Sequence, residues 1–239
     1  MRFQLLIVCL VLLFSSFSFA QQNVEQFTTY NATYTFIDER IIEVDKTMSL
    51  RNLHSSGIVP GPIEFRTAVL ENNGFEIYDL NATNRYGESI TSSILEFRDY
   101  TAISVNIFTP ILPGFEYEIN LNYKIRINES PGILFNRAQL PLLEDTRVPI
   151  LKGEVTIRAP NNTYITYTSF SDNMTQINGN KITYELNDNT PNFSMIEYSR
   201  IPSGVGNIAG SLVFWVIINI ILFSTLIFEI VRGFRRKKK

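Results

Sequence analysis

Cysteine is confined to one position of this 239-residue chain, Cys9, and histidine to another, His54. Cys9 falls in an N-terminal apolar block that reads as a cleaved leader, so the rest of the chain has no thiol and no disulfide to staple it. Its stability must come from a hydrophobic core. With one histidine and no remaining thiol, zinc and iron sites of the usual ligand sets fall away, and neither a metal nor a cofactor is expected. No glycine-rich phosphate loop follows a strand-like segment. Between the two terminal apolar blocks no segment keeps a 3.6-residue apolar period beyond about two turns, which argues against helices there. Basic residues are scarce in the same region: residues 21–208 carry 22 Asp and Glu against 14 Lys and Arg, a net charge of −8. Such a surface does not suit nucleic acid, whose phosphates require a basic face. An external domain without disulfides also leans toward a prokaryotic, archaeal-like surface rather than an animal one.

What the chain does have is two apolar blocks with different flanks. The first follows Arg2, has its apolar centre at residues 5–14 and leaves through Ser15-Ser16-Phe17-Ser18-Phe19-Ala20. This predicts a secretory signal peptide over residues 1–20, cut before Gln21. The second, residues 208–228, is free of charge and at 1.5 Å per residue is long enough for a hydrocarbon core of about 30 Å. It is followed by Arg232, Arg235, Arg236 and Lys237-Lys238-Lys239, which the positive-inside rule keeps in the cytoplasm. The expected topology is therefore type I single-pass, with residues 229–239 as a basic tail. The location is the cell membrane with the ectodomain outside, or the ER membrane in a eukaryote. A terminal dilysine retrieval signal is the other reading of the tail, beside a stop-transfer cluster on anionic lipid.

The ectodomain reads as all-β. From Phe115 to Ile127 apolar and polar residues alternate without a break, and the same period recurs at Ile103, Val105 and Ile107, and less cleanly at Ile42, Val44, Met48 and Leu50. Turn signals separate these runs: Asn72-Asn73-Gly74, Tyr86-Gly87, Leu112-Pro113-Gly114 and Asn178-Gly179. One-sided strands bury their apolar faces best as two packed sheets. About seven strands over residues 21–128 predict an immunoglobulin-like β-sandwich domain. Prolines 131, 141 and 149 mark residues 129–152 as a connecting segment. Four further strands predict a smaller β subdomain over residues 153–200, packed on the first, and residues 201–207 link it to the membrane helix.

Candidate chemistry is sparse. His54 sits in a polar loop without a nucleophile motif beside it. Glu116 and Glu118 share one strand face at roughly 7 Å, a spacing open to glycosidase chemistry, but they alternate with a full apolar set and so line the solvated face. Asn187-Asp188-Asn189 offers oxygen ligands to calcium without the ligand spacing of a binding loop. No catalytic residue is predicted. Six Asn-x-Ser/Thr triplets make Asn31, Asn81, Asn128, Asn161, Asn173 and Asn192 candidate glycosylation acceptors. In the anchor, Asn219 near the bilayer midplane and the small pair Gly206 and Gly210 are candidate helix contacts, on opposite sides of the helix.

A series of short motifs between Glu39 and Tyr198 resembles the luminal region of ribophorin I, the non-catalytic first subunit of eukaryotic oligosaccharyltransferase, and related archaeal single-pass proteins. The motifs are Ile41-Ile42-Glu43-Val44 leading to Leu50-Arg51-Asn52, Gly61-Pro62, Asn81-Ala82-Thr83 before Tyr86-Gly87, and Thr109-Pro110-Ile111-Leu112-Pro113-Gly114 before Leu121-Asn122-Tyr123. Val155-Thr156-Ile157-Arg158-Ala159-Pro160 and Thr183-Tyr184 continue the order. The resemblance implies a β-sandwich accessory subunit that presents acceptor polypeptide near a membrane glycosyltransferase, and it carries no catalytic residues across. The expected function is therefore non-enzymatic: a binding ectodomain in a membrane complex, partnered by another membrane protein through the anchor or the ectodomain. The alternative is a surface receptor or adhesion module for an external ligand.

Overall fold

A computed structural model describes residues 24–68, 75–127, 135–170, 175–187, 189–200 and 212–236. The expected signal peptide, the link at 201–207, and the candidates Asn128, Asn173, Gly206 and Gly210 lie outside the described residues.

The described chain is all-β apart from one helix. In the first half, alternating sequence produces seven strands: β1 (Glu25–Phe36), β2 (Ile41–Asn52), β3 (Gly61–Ala68), β4 (Phe75–Asn84), β5 (Thr91–Glu96), β6 (Tyr100–Ile107) and β7 (Glu116–Ile127). Six follow: β8 (Phe135–Pro141), β9 (Gly153–Arg158), β10 (Tyr164–Thr168), β11 (Gln176–Asn178), β12 (Lys181–Leu186) and β13 (Phe193–Ser199). β8 lies inside the stretch read as a connecting segment. Its apolar period is short and ends in Pro141, whose ring adds no N–H to a ladder, so the sequence signal is weak there. Among the turn signals, Gly87, Gly114 and Gly179 all have positive φ, the conformation for which glycine carries no steric penalty.

A seven-stranded sheet runs in the order β11-β12-β9-β1-β2-β7-β4, and two three-stranded sheets run β10-β13-β8 and β3-β6-β5. The large sheet draws β9, β11 and β12 from beyond residue 152, and β9 pairs in parallel with β1 from Tyr30↔Gly153 to Thr35↔Arg158. One hydrophobic core takes side chains from all three sheets, so residues on both sides of 129–152 bury their apolar faces together. Inward residues of β1 and β7, such as Tyr34, Phe36, Ile119 and Ile125, are buried, while the residues between them face solvent.

Residues 142–152 tie the three sheets together. The Leu142 and Leu143 amides donate to the Asn192 carbonyl just ahead of β13. Arg66 of β3 and Asp145 exchange two backbone hydrogen bonds, and Phe27 of β1 bonds Pro149 and Leu151. The segment thus satisfies exposed backbone groups on elements that would otherwise end in water.

Helix α1 (Leu212–Arg236) follows the sandwich. Its uncharged stretch, residues 212–228, is the C-terminal part of the expected span, and residues 208–211 lie outside the described residues. Among the described residues no helix is long and apolar enough to cross a membrane.

Candidate functional site

Two places in the fold depart from ordinary sandwich packing: an ion pair inside the core and an apolar tip at one end. The first begins on β2, where Ile42, Val44, Lys46, Met48 and Leu50 all point inward. Lys46 therefore occupies a core position, and it meets Glu144, delivered from above by the tying segment. The pair is in direct contact, with the Lys46 side chain 0% exposed and that of Glu144 2%. Tyr30 of β1 donates its hydroxyl to Glu144 Oε2 at 2.9 Å, and Tyr123 of β7 donates to Oε1 at 3.3 Å. The ammonium lies over both rings, 5.7 Å from the Tyr30 centroid and 5.3 Å from that of Tyr123, adding cation–π attraction.

Burial governs the ionisation of this cluster. It pushes the Lys46 ammonium below the usual lysine range, while the charge and hydrogen bond of Glu144 pull the other way. Tyr30 and Tyr123 are pushed well above the usual tyrosine range, by burial first and then by the Glu144 charge. Tyr34 is raised for the same reasons. Its hydroxyl finds no hydrogen bond of ordinary geometry, although Tyr123 lies near enough to offset part of the shift. All three phenols keep their protons at neutral pH, and Tyr30 and Tyr123 donate theirs to Glu144.

The tip forms where the β2–β3 and β6–β7 loops zip together. Ile58 and Ile111 exchange two backbone hydrogen bonds, the Asn52 side chain donates to the Ser56 and Ile111 carbonyls, and the Asn52 amide donates to the Phe115 carbonyl. Closing the backbone leaves the large side chains outside: Phe108 is 70% exposed, Phe115 64% and Leu112 58%, with Leu53 and Val59 beside them in the loops. Sequence alternation ran through Phe115, but β7 starts at Glu116 and Phe115 belongs to this tip. Register places the tip at the start of β1 and the end of β2, where Glu25 faces Asn52. β13 ends at the other end of the sandwich, where Tyr198 packs edge-on to Phe36 with ring centroids 5.1 Å apart.

The sequence candidates lie apart from the ion pair. His54 is exposed in the β2–β3 loop, its Nδ1 2.7 Å from Ser56 Oγ. Glu116 is exposed at the start of β7 opposite Arg51, and Glu118 accepts from the Asn120 side chain at 3.0 Å. These three do not line the pockets around residues 142–152. A groove of about 330 Å³ beside that segment has Lys152, Leu186, Asn187, Thr190 and Asn192 on its wall. The Asn187 carbonyl accepts from the Thr190 amide in a tight turn, with Asp188 outside the described residues. Among the described residues no group of three or more His, Cys, Asp or Glu is placed to hold a metal. Asn31, Asn81, Asn161 and Asn192 are exposed, and Asn219 is exposed on α1.

Sequence reading passed over Lys46 and Glu144. A signal for the first was present: a lysine in phase with Ile42, Val44, Met48 and Leu50 interrupts an otherwise complete apolar set. Glu144 follows Leu142-Leu143 in a proline-flanked stretch with no period, and nothing local marks it as inward. Phe108, Leu112 and Phe115 sit near Pro110 and Pro113, where loop composition conceals that large apolar groups remain in water.

No protein-family model and no curated protein matches the chain. Solved structures align with it only at low identity. An M1 zinc metallopeptidase from Deinococcus radiodurans aligns at 13% identity with a TM-score of 0.40, over 74% of this chain and 42% of that one. A Legionella pneumophila protein provisionally named for nutrient binding aligns at 9% identity and 0.46, over 74% and 67%. Leukotriene A4 hydrolase from Saccharomyces cerevisiae, in complex with bestatin, aligns at 8% identity and 0.43, over 74% and 29%. The chain spans less than half the length of the metallopeptidase and of the leukotriene A4 hydrolase.

Proposed function

We propose that this chain is a non-enzymatic type I membrane protein whose external β-sandwich works by docking a protein partner at its apolar tip. Exposure of Phe108, Leu112 and Phe115 on loops that are themselves held rigid is the observation that carries this reading. Rigid loops lose little freedom on binding, and aromatic side chains are the commonest anchors of protein interfaces. The net charge of −8 over residues 21–208 favours a partner with an apolar centre and a basic rim. Because β13 ends away from the tip, an anchor through residues 208–228 presents the tip away from the bilayer. Outward-facing Ile217, Ile220, Ile221, Phe223 and Leu226 on α1 suit lipid. Ser224 and Thr225 fold their hydroxyls back onto the Ile220 and Ile221 carbonyls at 2.7 and 3.1 Å, the arrangement that hydrocarbon demands of polar groups.

The proposed docking belongs to a protein-glycosylation complex, with the chain as an accessory subunit resembling those of oligosaccharyltransferase; the motif order that resembles luminal ribophorin I supports this reading. The immunoglobulin-like reading of the sandwich, a larger and a smaller β part on one anchor, belongs to the same proposal. A surface receptor is the second reading, favoured by the polar groove of Asn187, Thr190 and Asn192, which has room for a small external ligand. Cross-linking of the full chain in native membranes, wild type against F108S/F115S, tests the first. Loss of one dominant membrane-protein neighbour in the variant supports tip docking; an unchanged neighbour set refutes it.

A further inference from the structure

We propose that Lys46 Nζ and Glu144 Cδ condense to an internal amide, a side-chain cross-link joining β2 to residues 142–152 with the loss of one water. The two groups are held in contact in a site closed to solvent. A positioned amine and carboxyl react with effective molarities on the order of 10⁵–10⁸ M. Water exclusion works in the same direction, because amide formation releases water and hydrolysis consumes it. The neutral amine is the nucleophile in this step. Burial already pulls Lys46 toward its neutral form.

The surrounding hydroxyls supply the rest. The carboxyl group has a phenol on each oxygen, Tyr30 at Oε2 and Tyr123 at Oε1. As the nitrogen adds to Cδ, negative charge develops on one oxygen, and the Tyr123 hydroxyl is placed to hold it, as oxyanion donors do elsewhere. The N–Cδ bond forms and the Cδ–Oε2 bond breaks; both protons that the Lys46 ammonium loses pass to Oε2, relayed by the Tyr30 hydroxyl, so that Oε2 leaves as water, Oε1 becomes the amide carbonyl oxygen and one hydrogen stays on the nitrogen. Nothing is oxidised or reduced, and no co-reactant is required. The link would close a loop between residues 98 apart in sequence, holding β3 to β8 inside a covalent ring. For a chain whose ectodomain has no thiol, this gives the staple that a disulfide gives other external domains. The inference does not depend on the docking reading.

Tryptic mass spectrometry of the full chain, denatured before digestion, tests it. The expected product is a branched peptide joining 41–51 to 138–147, uncut after Lys46, with the summed mass less one water, about 18 Da. Recovery of 41–46, 47–51 and 138–147 as separate peptides at full mass overturns the proposal. In K46R peptide 138–147 should appear unlinked and at full mass, and a missing water there would also overturn it, because the dehydration would then lie elsewhere. In Y30F/Y123F the linked fraction at a fixed time after refolding should fall by about tenfold or more; an unchanged fraction would overturn the roles assigned to the two phenols.

Discussion

In E144L the Lys46 ammonium remains inside the sandwich with no carboxylate opposite it, while Tyr30 and Tyr123 lose their acceptor. In K46M the reverse holds, with a carboxylate left among phenols and no cation. Removing one partner of a buried pair typically costs about 3–5 kcal/mol, and neutralisation sets a ceiling. From the ordinary lysine value near 10.4, deprotonating Lys46 at pH 7 costs about 4.6 kcal/mol. E144L should be the less stable, because two orphaned hydroxyls add about 1–3 kcal/mol each. The pH dependence separates them further. In E144L the folded lysine holds its proton less tightly than the unfolded one, so the unfolded state binds more protons and stability rises with pH, by up to about 1.4 kcal/mol per unit between pH 7 and 10. K46M has no such lysine, so its stability shows no rise of this kind between pH 7 and 10. K46M/E144L, with both charges gone, should be flat across this range and more stable than either single variant. None of the three can form the amide, so the comparison isolates the charges. Urea unfolding at pH 5, 7 and 9 measures it, and parallel pH profiles for the two single variants would refute the reasoning.

In a K46R background, where no amide forms and Glu144 keeps its carboxylate, Y30F should lose about 1.5–3 kcal/mol, since its hydroxyl bonds a charged acceptor, whereas Y34F should be neutral or slightly stabilising because its hydroxyl has no well-formed bond to lose; denaturant midpoints distinguish them. G153A should lose about 1–3 kcal/mol, because its added Cβ would stand 2.5 Å from Leu186 Cδ1 and 2.8 Å from the Tyr30 carbonyl oxygen, seen as a lower thermal midpoint. F108S/F115S should change stability by no more than about 0.5 kcal/mol while abolishing partner capture, and a folding defect in this variant would remove the tip as a docking surface.

Much of the fold was legible because alternation and turn chemistry act locally. β7 could be read from its apolar period and the β11–β12 hairpin from Asn178-Gly179. Membership of the sheets could not, because the pairing of Thr33 with Thr156 joins residues that no local pattern connects. The site was hidden for a related reason. Lys46 costs stability in any local account of β2, and it becomes intelligible only when Glu144 arrives from the far side of the sequence. The tip has no local signature because exposure is a property of the folded loops: Leu112 and Phe115 have the composition of core residues.

The parallel β1–β9 ladder also sets a schedule for biogenesis. β1 finds β2 as soon as the turn at Asp38 has emerged, but its other edge has no neighbour until residues 153–158 are made, well over a hundred residues later. At a synthesis rate of about 5–20 residues per second, that edge stands open for roughly 6–25 s. An unpaired strand edge recruits other strands, so the nascent chain carries an open template along β1 until residue 153 is made.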